Sequence, residues 1–279
     1  MGVHPASVAS FFALFFGYIL SASTLQWWFY HRQGRTPGSW KSQHLAPAHA
    51  PDGRGRAWVW CLPLLDLLRS PPPAAAGIQP RHPLHPVFAT VNLLVSSTFA
   101  LASCELFQRG GGSLHSSCGP GRAACATQLL QGVLASLAVQ SVLEYYWHAL
   151  MHTPCMYARL HRYHHFYKAP QVFDDLMIHP VEAFGYYCLL FSPAVLVRQH
   201  WAAFLAYMTL CGVFGILDHS GIAVTLLGRT VYDTRAHDVH HQKGFGPGVY
   251  VNLAFPFTVL DVVHRTFVAP QDAGYTYTQ

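Results

Sequence analysis

Apolar runs long enough to cross a bilayer dominate this chain and limit what it can fold into. A hydrocarbon core about 30 Å thick needs about 20 apolar residues in helix, within a range of about 17–25. Five stretches meet or approach that length: Ala9–Tyr30, Pro86–Phe107, Ala126–Met151, Val181–Val197 and Trp201–Leu217. Charged residues make up only 10% of the chain, against about 25% in soluble domains. These features predict an all-α integral membrane bundle of four to five transmembrane helices. The last two runs are short and are joined by Arg198-Gln199-His200, so they read as a full hairpin or a shallow re-entrant one. The first run continues through Trp27, Trp28 and Tyr30 without a preceding positive charge, which favours an uncleaved anchor over a signal peptide.

Charge bias orients the expected bundle. The segment 31–83 carries seven basic residues (Arg32, Arg35, Lys41, Arg54, Arg56, Arg69 and Arg81), whereas 108–125 carries two, Arg109 and Arg122. The first loop is therefore expected in the cytosol and the second in a lumen. The segments 152–180 and beyond Asp218 then return to the cytosolic side. Within 31–83, the stretch 58–68 is too short to span and reads as interfacial. Basic residues form no dense run, which argues against nucleic-acid binding. Seven cysteines, an odd count without a CxxC pair, argue against a disulfide scaffold, although Cys118 and Cys125 could pair if their Gly-rich loop faced an oxidising lumen.

Nineteen histidines outnumber Lys plus Arg. Two segments repeat the spacing H-x-x-H-H: His161, His164, His165 and His237, His240, His241. Each trio reads as one face of a helix. The third apolar run ends with Glu144, His148 and His152 at four-residue spacing, and His219 follows the fifth run. By the expected topology these nine imidazoles meet at one membrane face, in a cytosolic, helical, histidine-rich cap. Imidazole is the commonest metal ligand, and nine suit two ions with four or five each, leaving positions for oxygen or water. Ligand type alone does not separate iron, zinc or copper. His179 precedes Pro180 and reads as a tenth ligand or as a partner of one. Carboxylates available to orient the rings are Glu144, Glu182, Asp218, Asp233 and Asp238, with Asp174 and Asp175 nearby. Glu144 and Asp233 are favoured, because each lies four residues before a candidate ligand. The remaining histidines, at 4, 31, 44, 49, 82, 85, 115, 200 and 264, read as background.

The order HxxxH, HxxHH, HxxHH, threaded through apolar helices, resembles the fatty acid hydroxylase / sterol desaturase superfamily of histidine-box membrane di-iron oxygenases. The likeness covers roughly residues 126–268 and includes "HPVE" (179–182), "DHSG" (218–221), Asn252 and Asp261. It departs in "WHALMH", "VNLAFPF" and "LDVVHRT". The resemblance implies two Fe ions, for which zinc can substitute, with O2 as co-substrate. It also implies a lipid substrate (a sterol, a fatty acyl chain or a sphingoid base) that is hydroxylated or desaturated in lipid biosynthesis, and a location in the endoplasmic reticulum membrane. The chain has no nucleotide fingerprint and no haem-domain segment, so electrons are expected from cytochrome b5 and an NAD(P)H reductase. The chain then divides into membrane helices with a Pro/Gly-rich loop (1–125), a di-metal domain (126–268) and a tail (269–279). The alternatives are a zinc-dependent membrane hydrolase, disfavoured by the absence of HExxH, and a non-enzymatic metal- or haem-binding membrane protein.

Overall fold

The computed structural model describes residues 2–32, 82–222, 224–227 and 229–274. The expected interfacial stretch 58–68 and the basic residues from Arg35 to Arg81 lie outside these residues. The chain is a helical membrane bundle. Four segments are long and apolar enough to cross a bilayer: Pro5–Phe29, His85–Gln108, Gly121–Met151 and Trp201–Asp218. The helices are α1 (Pro5–Leu25), α2 (His85–Gln108), α3 (Gly121–Met151), α4 (Pro154–Arg159), α5 (Pro180–Phe191), α6 (Pro193–Leu196), α7 (Trp201–Asp218), α8 (Arg235–Lys243) and α9 (Val259–His264). Proline stands at the start of α1, α2, α4, α5 and α6, where its missing N–H costs nothing and its fixed φ suits the first turn. His4 Nδ1 and His200 Nδ1 accept the N–H groups of Ala6 and Ala202 at 3.2 and 3.1 Å, so these two histidines are helix caps.

The fourth apolar run is shorter than a full span. Pro193 divides it into α5 and α6, because its ring blocks continuation of the α5 hydrogen-bond ladder. The pair nonetheless runs the length of the bundle. Beyond α6, Gln199–His200 forms a parallel two-residue ladder with Leu114–His115 of the α2–α3 loop. The hairpin tip thus meets that loop at one end of the bundle. At the opposite end lie the start of α2, the end of α3, the start of α5 and the end of α7. α1 runs antiparallel to α2: its first turn is tied to Glu105 through His4 N–H at 2.9 Å and Ser7 Oγ at 2.7 Å. The other half of α1 reaches the histidine end, where Tyr18 donates to Asp175.

The core sits where α3, α5 and α7 meet, with Leu137, Ala183, Tyr187, Phe191, Phe204 and Tyr207 buried together. Gly132 lets α3 approach α7, since a Cβ there would lie 2.9 Å from Ala203 Cβ. Gly185 does the same for α5 against Trp147, where a Cβ would meet the indole at 2.3 Å. Asn92, wholly buried in α2, donates to the carbonyls of Leu176 and Ile178 at 3.0 and 2.8 Å. This pins α2 to the loop that leads into α5.

Candidate metal centre

Four segments deliver imidazoles to the same end of the bundle. α3 presents His148 in its last turn and His152 at its C-cap. The 3₁₀ segment His161–Phe166 carries His161, His164 and His165. His219 caps the C-terminus of α7, and α8 carries His237, His240 and His241. The structure gathers all nine into two adjoining groups: His148, His152, His161, His165 and His240, and His164, His219, His237 and His241. Within each group, one ring nitrogen per residue lies within 4.8 Å of the others. Each H-x-x-H-H segment is divided between the groups rather than serving one of them.

Ring orientation decides what these groups can hold. His148 Nδ1 faces the carbonyl of Leu253 at 2.8 Å, His240 Nδ1 that of Val251 at 2.7 Å, His241 Nδ1 that of Tyr167 at 3.1 Å and His219 Nδ1 that of Gly215 at 3.0 Å. A carbonyl only accepts, so each of these Nδ1 atoms carries the proton and each Nε2 presents a lone pair. His161 Nδ1 donates to Glu182 Oε1 at 2.5 Å, with the same consequence for its Nε2. Yet His148 Nε2 and His161 Nε2 stand 3.2 Å apart. Two lone pairs at that separation repel unless a cation lies between them. The other Nε2 separations are 3.1 Å for His161–His152, 3.2 Å for His165–His152, 3.1 Å for His165–His161, 3.0 Å for His237–His219 and 3.5 Å for His219–His164. Metal–imidazole bonds of about 2.0–2.1 Å place neighbouring ligand nitrogens about 2.9–3.4 Å apart. His240 Nε2 and His241 Nε2 are buried without a hydrogen-bond partner, an arrangement that a buried polar atom sustains only with another partner. The residues present therefore fit two metal ions.

Burial keeps the rings neutral. The imidazoles of His161, His164, His165, His237, His240 and His241 are held well below their ordinary value by desolvation and then by one another. His152 is pushed down to about 3 for the same two reasons. Neutral imidazole is the metal-binding form.

The carboxylates are arranged differently from the sequence expectation. Glu182, rather than Glu144 or Asp233, touches a ring of the centre. Asp233 turns to Arg235, bridging its Nε at 2.6 Å, because its own N-terminal position beside α8 faces that guanidinium. Glu144 accepts from Gln140 on the preceding turn. Asp218 accepts from Tyr232 at 2.9 Å, and Asp238 is wholly buried in α8. His179 joins neither group. Its Nδ1 accepts the Val181 N–H at 3.3 Å as the cap of α5, and its ring packs on Phe88 and Tyr163. His85, read as background, is buried and bonded to the Tyr167 hydroxyl at 3.1 Å.

Asn252 and Asp261 hold the segment that supplies the carbonyl acceptors. Buried Asp261 accepts the N–H groups of Leu253 and Ala254 at 2.7 and 3.0 Å and the Thr266 hydroxyl at 2.7 Å. Asn252, at φ 49, donates to Ala236 and Val268 carbonyls at 2.9 Å. The carbonyls of Val251 and Leu253, which fix His240 and His148, thus belong to one clamped segment. Sequence reading did not find these backbone acceptors, or that of Tyr167, because a carbonyl carries no residue signature.

An internal cavity of about 690 Å³ runs from the histidines into the bundle. His148, His161, His164, His219 and His237 line one end, and Leu14, Leu93, Phe107, Phe204 and Leu205 line the rest. Its size falls in the range of small-molecule sites, about 300–1,000 Å³. An apolar chamber ending on a polar metal-type cluster can hold a hydrophobic molecule with one of its carbons against the cluster.

The comparisons with known proteins agree with this arrangement. Residues 133–266 match the Fatty acid hydroxylase family model. The human Fatty acid hydroxylase domain-containing protein 2 is 27% identical over 106 residues, covering 38% of this chain and 31% of that protein. Rat Methylsterol monooxygenase 1 is 29% identical over 139 residues (48% and 46%), and mouse Lathosterol oxidase 27% over 143 residues (51% and 46%). The chain thus spans a third to a half of the length of these curated relatives. No solved structure matches. The matched region contains every histidine of both groups together with Glu182, Asn252 and Asp261, and on this ground residues 133–266 are a domain of the fatty acid hydroxylase / sterol desaturase superfamily.

Proposed function

We propose that this protein is a membrane di-iron oxygenase that hydroxylates or desaturates a lipid. The observation that carries the reading is the pair of converging imidazole groups at the end of an apolar cavity. One iron would be held by His148, His152, His161, His165 and His240, the other by His164, His219, His237 and His241. When bound, two redox-active irons supply activation of O2, with two electrons and two protons from outside completing hydroxylation of one C–H bond and release of water. The chain's own residues do the positioning. Glu182 and the carbonyls of Val251, Leu253, Tyr167 and Gly215 fix ring tautomers, which leaves the Nε2 lone pairs for metal. The apolar wall excludes water and delivers a hydrocarbon carbon to the cluster. The relatives named for methylsterol and lathosterol oxidation support a lipid substrate.

In this reading the histidine end faces the cytosol from the endoplasmic reticulum membrane. A disulfide joins Cys118 of the α2–α3 loop to Cys125 near the start of α3, at the opposite end of the bundle, as an oxidising lumen allows. Exposed Arg159, Arg162, Lys168 and Lys243 surround the histidine end and would steer an acidic electron-donor protein such as cytochrome b5, itself reduced by an NAD(P)H reductase.

The test is metal analysis of anaerobically purified protein, paired with lipid profiling of cells with and without it. Two irons per chain and a lipid that gains an oxygen or a double bond are expected. Replacing His164 and His165 together with alanine removes a ligand from each group and should abolish oxidation, with the iron content falling to about one per chain or less. Wild-type lipid oxidation by that variant, or stoichiometric zinc with hydrolytic activity, would refute the proposal.

A further inference from the structure

An apolar surface beside the histidine end is left uncovered among the described residues. Helix α9 shows Val259, Val262 and Val263 at 66, 61 and 66% exposure, flanked by Phe257 at 49% and Phe267 at 39%. Helical periodicity puts the three valines on one stripe and Asp261 on the opposite side, where it is wholly buried. The patch is continuous with the outer side of α3. Tyr146 Oη and His264 Nε2 lie 3.2 Å apart, the Tyr145 ring stacks on that of His264 at 4.7 Å, and the Tyr145 and Thr266 hydroxyls are 3.1 Å apart. Tyr146 and Leu150 are themselves exposed. α3 has 31 residues, which make about 46 Å of helix against a hydrocarbon thickness of about 30 Å. Its last turns therefore reach headgroup level, where tyrosine is favoured. Exposed Arg265 borders the valines, and the segment 251–268 carries no acidic side chain other than buried Asp261.

We infer that α9 and its flanking phenylalanines lie in the bilayer, at the boundary of headgroups and acyl chains, and that this lipid contact holds the segment that orients His148. The valines and phenylalanines enter the acyl region while Arg265 stays with anionic headgroups. A second copy of the chain docked here would leave two Arg265 side chains beside an apolar contact, with no acid of this segment to pair them. The consequence for the histidines runs through Asp261. From the buried side of α9 its carboxylate accepts the N–H groups of Leu253 and Ala254, and the Leu253 carbonyl accepts from His148. An α9 drawn out of lipid takes Asp261 with it and leaves those N–H groups without their acceptor. The inference rests on the membrane bundle and not on the reaction proposed above.

The experiment uses the full chain in nanodiscs of phosphatidylcholine and phosphatidylserine. Val263→p-benzoylphenylalanine is photolysed there beside Leu134→p-benzoylphenylalanine, a reference on an exposed position within the α3 span. Both should give chains heavier by one phospholipid, in yields within about threefold of each other. A cross-link between two chains at position 263, or a lipid adduct at position 134 alone, overturns the inference and leaves the lipid-oxygenase reading standing. No lipid adduct at either position overturns the membrane bundle as well. In parallel, hydrogen exchange of the Leu253 and Ala254 amides is compared between the wild type and Val262→Asp/Val263→Asp. Moving two valines out of the acyl region should speed that exchange about tenfold or more, while amides in the middle of α3 keep wild-type rates. Unchanged exchange in the folded variant overturns the link to His148. Should that variant not fold, Val262→Ser and Val263→Ser carry the same comparison, with the same result overturning the link.

Discussion

Adjacent histidines should behave differently when removed, because His164 and His165 belong to different groups. His164→Ala takes the group of four to three; His165→Ala takes the group of five to four. Four-ligand zinc sites bind with about 10–16 kcal/mol, or about 2.5–4 kcal/mol per ligand. Loss of one ligand therefore weakens a site by about 10²–10³ in affinity. The group left with four nitrogens still offers a complete shell, whereas the group left with three does not. Variants purified anaerobically and dialysed against a chelator of graded strength would be analysed for iron per chain. The wild type should hold two irons, His165→Ala close to two, and His164→Ala close to one. The pair His237→Ala/His241→Ala, both from the group of four, should stop at one iron and retain it as firmly as the wild type retains its tighter one. Equal losses from His164→Ala and His165→Ala, or loss of both irons from the His237/His241 variant, would refute the division into two shells.

Glu182→Gln should weaken the iron held with His161 about 10–100-fold in a chelator competition, since it removes the charge that orients that ring; an unchanged titration would show that the 2.5 Å contact does not tune the metal. Asp261→Ala leaves the buried N–H groups of Leu253 and Ala254 without acceptors, so thermal unfolding should report a loss of about 2–6 kcal/mol, with iron released in the same transition because the Leu253 carbonyl orients His148. Burial, ahead of every other influence, raises the Asp175 carboxyl from its ordinary 3.8 to about 8. Its contribution to stability is thus full below about pH 4 and is lost as pH rises through about 8. The wild-type melting temperature should fall between pH 6 and 9 relative to that of Asp175→Asn, and parallel profiles would remove Asp175 as the cause. Exposed Cys155 in α4, at the histidine end, should react with a membrane-impermeant maleimide from the cytosolic side. Cys118 and Cys125 should react only from the other side after reduction, and the opposite pattern would invert the topology.

The bundle was legible because lipid leaves the backbone few options, and each apolar run of sufficient length became a helix. The fourth run, already short in the sequence, is divided: α5 ends at Phe191 and Pro193 opens a separate short helix. The nine imidazoles were legible from spacing and from the alternation of the helices. Their partners were not. Four-residue spacing favoured Glu144 and Asp233, yet spacing along one helix does not show which side chain another element brings. Glu182 arrives from α5, 21 residues beyond His161. The "HPVE" resemblance was the available signal, and it pointed to Glu182 as well as to His179. His179 reads as a ligand by type but is consumed as the cap of a Pro-initiated helix.

The spacing H-x-x-H-H reads as one face of a helix, and that reading was too coarse in an informative way. In the first segment the rings of His161 and His164 stack at 5.1 Å and 27°, while those of His161 and His165 meet edge-on at 4.7 Å and 73°. In the second, His237 and His240 stack at 5.3 Å and 27°, and His237 and His241 meet edge-on at 4.8 Å and 71°. The ring geometry is nearly the same although one segment is 3₁₀ and the other α-helical. In both, the edge-on pair shares a group and the middle histidine crosses to the other. His161 and His165 receive His240; His237 and His241 receive His164. The six rings therefore form two reciprocal halves of three, and each half needs the other segment to be complete. The additional histidines break this equivalence. α3 adds His148 and His152 to one half, and α7 adds only His219 to the other. Two ions bound here would differ in coordination: five nitrogens beside one, four beside the other. The less enclosed ion has more room for O2 or water, and it is also the one expected to leave first under a chelator.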